Sequence, residues 1–137
     1  MSYLVDANIL CESSKPRPET SVLRWLAEHD AELHISAISL GEMLKGIHLM
    51  DRGKRRQKVE HWYQRIEGWA TGRILPVDAA VMKTWGAFYA KHQLAGRKLP
   101  AIDSLIAATA LQYQLTLVTR NVADFPNDVP VFNPWTA

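Results

Sequence analysis

Short apolar runs alternate along this chain with longer amphipathic stretches, and that alternation constrains the fold more than any other feature. Tyr3-Leu4-Val5, Leu33 to Ile38, Ile74 to Val77, Leu115 to Thr119 and Val129 to Phe132 read as strands. Between them, residues from Glu19 to Glu28 carry Val22, Leu23, Trp25 and Leu26 at helical spacing. Ser39 to Asp51 shows one apolar face through Leu40, Met43, Leu44, Ile47 and Met50, and Lys54 to Ala70 shows another through Val59, Trp62, Tyr63, Ile66 and Trp69. Asp78 reads as the N-cap of a helix reaching about His92. After a loop at Gly96 to Leu99, Pro100 opens a helix from Ala101 to Tyr113, since proline suits a first helical turn. Strands this short and this apolar, separated by helices, imply an α/β fold: a three-layer α/β/α sandwich around a parallel sheet of four to five strands. The 137 residues allow one domain, and 47% hydrophobic against 22% charged residues is globular composition.

In such sheets the functional site lies beyond the carboxyl ends of the strands. The first predicted strand ends at Asp6, the second leads into the helix carrying Glu42, Asp103 opens the helix after Pro100, and Asp124 follows the strand ending at Thr119. Four acids at one rim would repel by about 1 kcal/mol per pair at ~4 Å in water, and about 4 kcal/mol at an effective dielectric near 20. A divalent cation between them removes that cost. All-oxygen donors with no histidine or cysteine alongside suit Mg²⁺ or Mn²⁺ rather than zinc. Each acid also has a plainer reading. Ser39-Leu40-Gly41-Glu42 fits a capping box, Asp103 a first-turn helix acid, and Asp124 a turn aspartate before Phe125-Pro126. Asp6, closing a buried strand, has no evident packing role.

The total of 16 basic and 14 acidic residues hides an uneven spread. Residues 45 to 65 hold seven bases against two acids (Asp51 and Glu60), a local +5. Lys91, Arg97 and Lys98 form a second basic group just before Asp103. Such surfaces track phosphate backbones, although charge runs are often only solvated helix faces. Lys45, in the first of these groups, and Arg120, beside Thr119 and Asn121, are the candidates for contact with a polyanion. Trp25, Trp62, Trp69 and Trp85 fall on apolar stripes and read as core or dimer packing, and the five histidines show no ligand spacing. The single cysteine, Cys11, excludes an intramolecular disulfide. No segment approaches the ~18–20 apolar residues of a membrane span, and the start of the chain lacks a signal-peptide pattern, so a cytoplasmic protein is expected.

Four segments together resemble the PIN-domain ribonucleases, in particular the VapC-like toxins of toxin–antitoxin pairs. These are Tyr3-Leu4-Val5-Asp6-Ala7-Asn8, Ile35 to Met43 with Glu42, Pro100 to Ala110 with Asp103, and Leu117 to Phe125 with Asp124. They occur in order and span positions 3 to 125. Lys15-Pro16-Arg17-Pro18 adds a likeness to the FitB-like branch. Gly41 and Ser104 stand where alanine is frequent in the family, and neither change removes an acid. The resemblance implies a single PIN domain over 1–137 and a Mg²⁺-dependent endoribonuclease, dimeric and restrained by a cognate antitoxin. By position it implies Asp6, Glu42 and Asp103 as the metal core, Asp124 as a fourth acid, and Asn8, Ser39, Thr119 and Asn121 as supporting groups. A non-catalytic RNA-binding or scaffold module on the same fold stays open. So does a metal-dependent phosphatase, although Asn8 stands where a haloacid-dehalogenase-type enzyme would carry a second aspartate.

Overall fold

A computed structural model describes residues 1–136. Five parallel strands form one sheet in the order β3-β2-β1-β4-β5. They are β1 (Tyr3–Val5), β2 (Leu33–Ser36), β3 (Ile74–Leu75), β4 (Thr116–Val118) and β5 (Val131–Phe132). Each strand of the central pair alternates its side chains between two cores, as the pleat requires. Leu4 and Leu117, both fully buried, face one side, where Phe88, Ile106, Ala107 and Ala110 meet them. Val5 and Val118 face the other, against Ile9, Val22, Met43, Ile47 and Trp62. The sheet is therefore buried on both faces, which explains why its strands read as apolar runs rather than as alternating patterns.

The first core is covered by α1 (Ala7–Cys11), α2 (Thr20–Glu28), α3 (Ala37–His48) and α4 (Lys54–Trp69). The second is covered by α5 (Ala79–Leu94) and α6 (Ala101–Gln112), which pack on each other. This is the three-layer sandwich expected, with the sheet at the upper end of the expected strand number. Asp78 caps α5 by accepting a hydrogen bond from Val81 N–H at 3.0 Å, and Pro100 stands at the N-cap of α6. No described helix is long and apolar enough to cross a membrane.

Four local expectations need correction. The second strand stops at Ser36, not Ile38, and Ser36 caps α3 through a hydrogen bond from Ile38 N–H to its Oγ at 3.1 Å. Ser39 is consequently inside the helix and fully buried, so the Ser39–Glu42 capping box does not form. Glu42 lies in the second turn of α3 rather than the first, beyond the reach of the favourable end of the helix dipole. Finally, Asp6 does have a structural role. It caps the five-residue α1, its Oδ1 accepting from Ala7 N–H at 2.8 Å.

Candidate metal and nucleic-acid site

The strand order reverses direction at β1: the chain moves from β1 through β2 to β3, then returns to place β4 on the other side of β1. Helices leaving neighbouring strands on opposite faces of the sheet open a crevice at such a point. Asp6 and Thr119 follow β1 and β4 directly and stand at that crevice.

Their side chains are joined. Thr119 Oγ1, fully buried, donates to Asp6 Oδ2 at 3.0 Å. Asn8 Nδ2 reaches Asp6 Oδ2 at 3.4 Å and Thr119 Oγ1 at 3.3 Å, and Asn8 Oδ1 accepts from Arg120 N–H at 3.3 Å. Asn121 N–H donates to Thr119 Oγ1 at 3.2 Å. Asn8, Thr119 and Asn121 thus form one network around the Asp6 carboxylate, which is only 9% exposed. Ser39 stands apart from it: its buried Oγ has no hydrogen-bond partner among the described residues.

The acids interact as like charges. Burial, above all, holds the proton affinity of Asp6 above the ordinary carboxylate range, against the pull of its hydrogen bonds from Thr119 and Ala7. Glu42, half-buried, is raised first by burial and then by the charges of Asp6 and Asp103, with Lys45 opposing. Asp103, in the first turn of α6, is raised first by burial and then by Asp6 and Asp124. Asp124 closes a short 3-10 helix at Val122–Asp124 and is exposed. Cys11 also feels the cluster: burial first, and then Asp6 among the nearby charges, push its thiol up. Among the described residues none of the four acids forms an ion pair. The ionised forms of Asp6, Glu42 and Asp103 are disfavoured, and only Lys45, acting on Glu42, opposes that, which is the electrostatic state a hard cation would correct. The donor set is therefore chemically suited to Mg²⁺ or Mn²⁺. The acids are not gathered into a closed shell, however. Among the described residues no three His, Cys, Asp or Glu side chains form a group that would hold a metal ion by themselves.

The basic groups divide. Lys91 pairs with Asp128 at 2.9 Å, and Arg97 donates to the Asp124 carbonyl at 3.3 Å. Arg56 bonds the Met50 carbonyl and lies 3.6 Å from Glu60, whereas Lys45 and Arg120 are exposed. Trp62 is a core residue, 6% exposed, with its Nε1–H donating to Ser13 Oγ at 2.8 Å, so of the two readings, core or dimer packing, it takes the first. Trp85 donates to Ser104 Oγ at 2.9 Å, a partner that alanine at 104 would not supply.

Sequence reasoning passed over two residues near the crevice. Asn133 donates to the Arg120 carbonyl, and the Trp135 ring lies under the Arg120 guanidinium. Neither belongs to a periodic stretch, so their proximity to Arg120 follows only from the pairing of β4 with β5. Glu12 was also missed: an acid only 5% exposed, it pairs with Lys15 at 2.8 Å and accepts from Glu19 N–H at 2.8 Å.

Comparison with known proteins agrees with this geometry. The chain is 36% identical over 135 residues to Toxin FitB of Neisseria gonorrhoeae, covering 96% of this chain and 97% of that protein. It is 30% identical over 138 residues to VapC ribonuclease Y4jK of Sinorhizobium fredii, covering 96% of each. The solved structure of FitAcB from Neisseria gonorrhoeae superposes with a TM-score of 0.90 at 35% identity, covering 98% of this chain and 99% of that one. The family model for the PIN domain matches residues 3–126, which include all four rim acids. With that match over most of its length and a relative aligned almost end to end, the chain belongs to the PIN-domain family.

Proposed function

We propose that this chain, as a single PIN domain over residues 1–137, is a metal-dependent endoribonuclease and the toxin of a toxin–antitoxin pair. The observation that carries the reading is the set of unpaired, mutually repelling carboxylates at the β1–β4 crevice. Relatives named as a toxin and as a ribonuclease support the choice of activity. In this reading Asp6, Glu42 and Asp103 hold Mg²⁺, with Mn²⁺ as a substitute, and Asp124 is a fourth acid beside them. When bound, the ion supplies charge neutralisation at the phosphoryl group and lowers the pKa of the attacking water.

The chain's own residues do the rest. Thr119 and Asn8 fix the Asp6 carboxylate by hydrogen bonds to Oδ2, so that it presents one orientation. Asn121 locks Thr119 through its backbone N–H. Ser39, buried on α3 one turn before Glu42, is assigned to the supporting set by its place beside Glu42 and not by a bond to the Asp6 network. Lys45 tempers the Glu42 charge, and with Arg120 it offers cations to the RNA backbone. In the cell the protein is expected to act in the cytoplasm, as a homodimer whose cleavage a cognate antitoxin holds in check.

The test is cleavage of short RNA by antitoxin-free protein in Mg²⁺ and in EDTA, for wild type and Asp6→Asn. Asparagine keeps the capping capacity at this position. Cleavage that needs the metal and disappears in Asp6→Asn, with the circular dichroism spectrum unchanged, is the expected result. No metal-dependent cleavage by the wild type favours a binding or scaffold role. Phosphate release from small monoesters favours a phosphatase.

A further inference from the structure

The chain after β5 is laced to the segment that carries Arg120. Thr119 N–H bonds the Phe132 carbonyl at 3.0 Å. The Arg120 carbonyl accepts from Asn133 Nδ2 at 3.3 Å, and Asn133 Oδ1 accepts from Trp135 N–H at 2.9 Å. On its other side, Arg120 N–H is held by Asn8, whose amide also reaches Asp6. The Trp135 indole is half-buried against the core under α1 to α4. The Arg120 guanidinium carbon lies 4.9 Å from the centroid of that ring.

This contact is of cation–π length, and among the described residues no hydrogen bond occupies the guanidinium N–H groups. Those donors form the fork that binds a phosphate in bidentate fashion. Arg120 forms no ion pair among the described residues, and the acid that feels it, Glu12, is already held by Lys15 and the Glu19 N–H. A long exposed side chain ordinarily loses rotamer freedom when it binds, and stacking on a fixed ring removes part of that loss in advance.

We propose that Trp135, set by the Asn133 turn, is a positioning residue for Arg120, and that the pair forms a preorganised clamp for a phosphate of single-stranded RNA beside the carboxylate crevice. This rests on the ribonuclease reading above and names the surface by which that site takes its substrate.

The test is anisotropy of a short fluorescein-labelled single-stranded RNA of mixed sequence, titrated in EDTA so that binding is read without cleavage. Arg120→Ala should weaken binding and lower the slope of log K against log salt by about 0.7, the value of one single-strand phosphate contact. Trp135→Leu should weaken binding about two- to five-fold, the range a surface cation–π contact corresponds to. The double variant should bind no more weakly than Arg120→Ala alone, because the indole acts only through the guanidinium. Should the leucine variant not fold, Trp135→Phe keeps an aromatic face of lower attraction and should fall between wild type and Arg120→Ala. Wild-type affinity in a folded Trp135 variant, or additive losses in the double variant, overturns the proposal. A wild type that binds no RNA overturns the ribonuclease reading and this one with it, whereas binding that neither variant alters overturns this one alone.

Discussion

Replacing Glu42 by glutamine should make the metal-free protein more stable at neutral pH, although it removes a residue assigned to the metal core. The carboxylate makes no hydrogen bond or ion pair among the described residues and lies past the first turn of α3, so the substitution sacrifices no partner and no helix-dipole interaction. What it removes is an ionised group disfavoured first by burial and then by Asp6 and Asp103. Unit charges ~8 Å apart repel by about 0.5 kcal/mol at the dielectric of water. Two such neighbours cost about 1 kcal/mol, and Lys45 returns part of it, leaving a gain of about 0.5–1 kcal/mol with a Tm higher by roughly 2–5 °C. The sign follows from linkage. The folded proton affinity of Glu42 is raised, so its ionisation destabilises the fold above the folded pKa and not below the unfolded value near ~4.3. The advantage of Glu42→Gln should therefore grow as pH rises through the folded pKa, being larger at pH 7 than below about pH 4, where it vanishes. Urea unfolding followed by tryptophan fluorescence at both pH values, in EDTA, measures it. Adding Mg²⁺ should stabilise wild type more than the variant and so narrow or reverse the gap. A variant less stable than wild type at pH 7 in EDTA would refute the claim that the rim is electrostatically strained.

Glu12→Gln removes a buried charged partner of Lys15 and weakens the bond from Glu19 N–H; a loss of about 1–3 kcal/mol in urea unfolding is expected at pH 7. Its proton affinity is lowered, chiefly by Lys15, so that loss should shrink as acid takes the wild type through the folded pKa, below the usual carboxylate range. Thr119→Val leaves Asp6, Asn8 and Asn121 without the buried hydroxyl between them and should cost about 1–3 kcal/mol, read by thermal melting, with reduced RNA cleavage. Leu117→Ala opens a cavity between β4 and the α5–α6 layer and should cost about 2–5 kcal/mol by the same melt, with the far-ultraviolet spectrum retained.

The layer architecture was legible because a sheet buried on both faces writes itself as apolar runs, and helices covering it write a three-to-four-residue stripe. The position of the site was legible for the same reason: once parallel strands are recognised, their carboxyl ends are fixed, and Asp6 and Thr119 fall there. What failed was local. Ser36 and Ser39 are equally good caps by type, and only the depth of β2 in the sheet decides that Ser36 takes the role. The cap made by Asp6 was hidden because α1, at five residues, is too short to show a period. The stack of Arg120 on Trp135 depends on where β5 pairs, which two strand residues at Val131 and Phe132 announce only faintly. The spacing of the four acids was the least legible. Sequence order brings them to one rim, but side-chain reach leaves them short of a closed shell.

The central claim is that these acids are a cation site, and Mn²⁺ binding followed by electron paramagnetic resonance tests it without relying on any substrate. Free Mn²⁺ gives a sharp signal that binding removes. The account predicts saturable loss of that signal with wild-type protein, competition by Mg²⁺, and marked weakening in Asp6→Asn and in Asp103→Asn. Binding by both variants equal to that of wild type, or no binding by folded wild type, would contradict it.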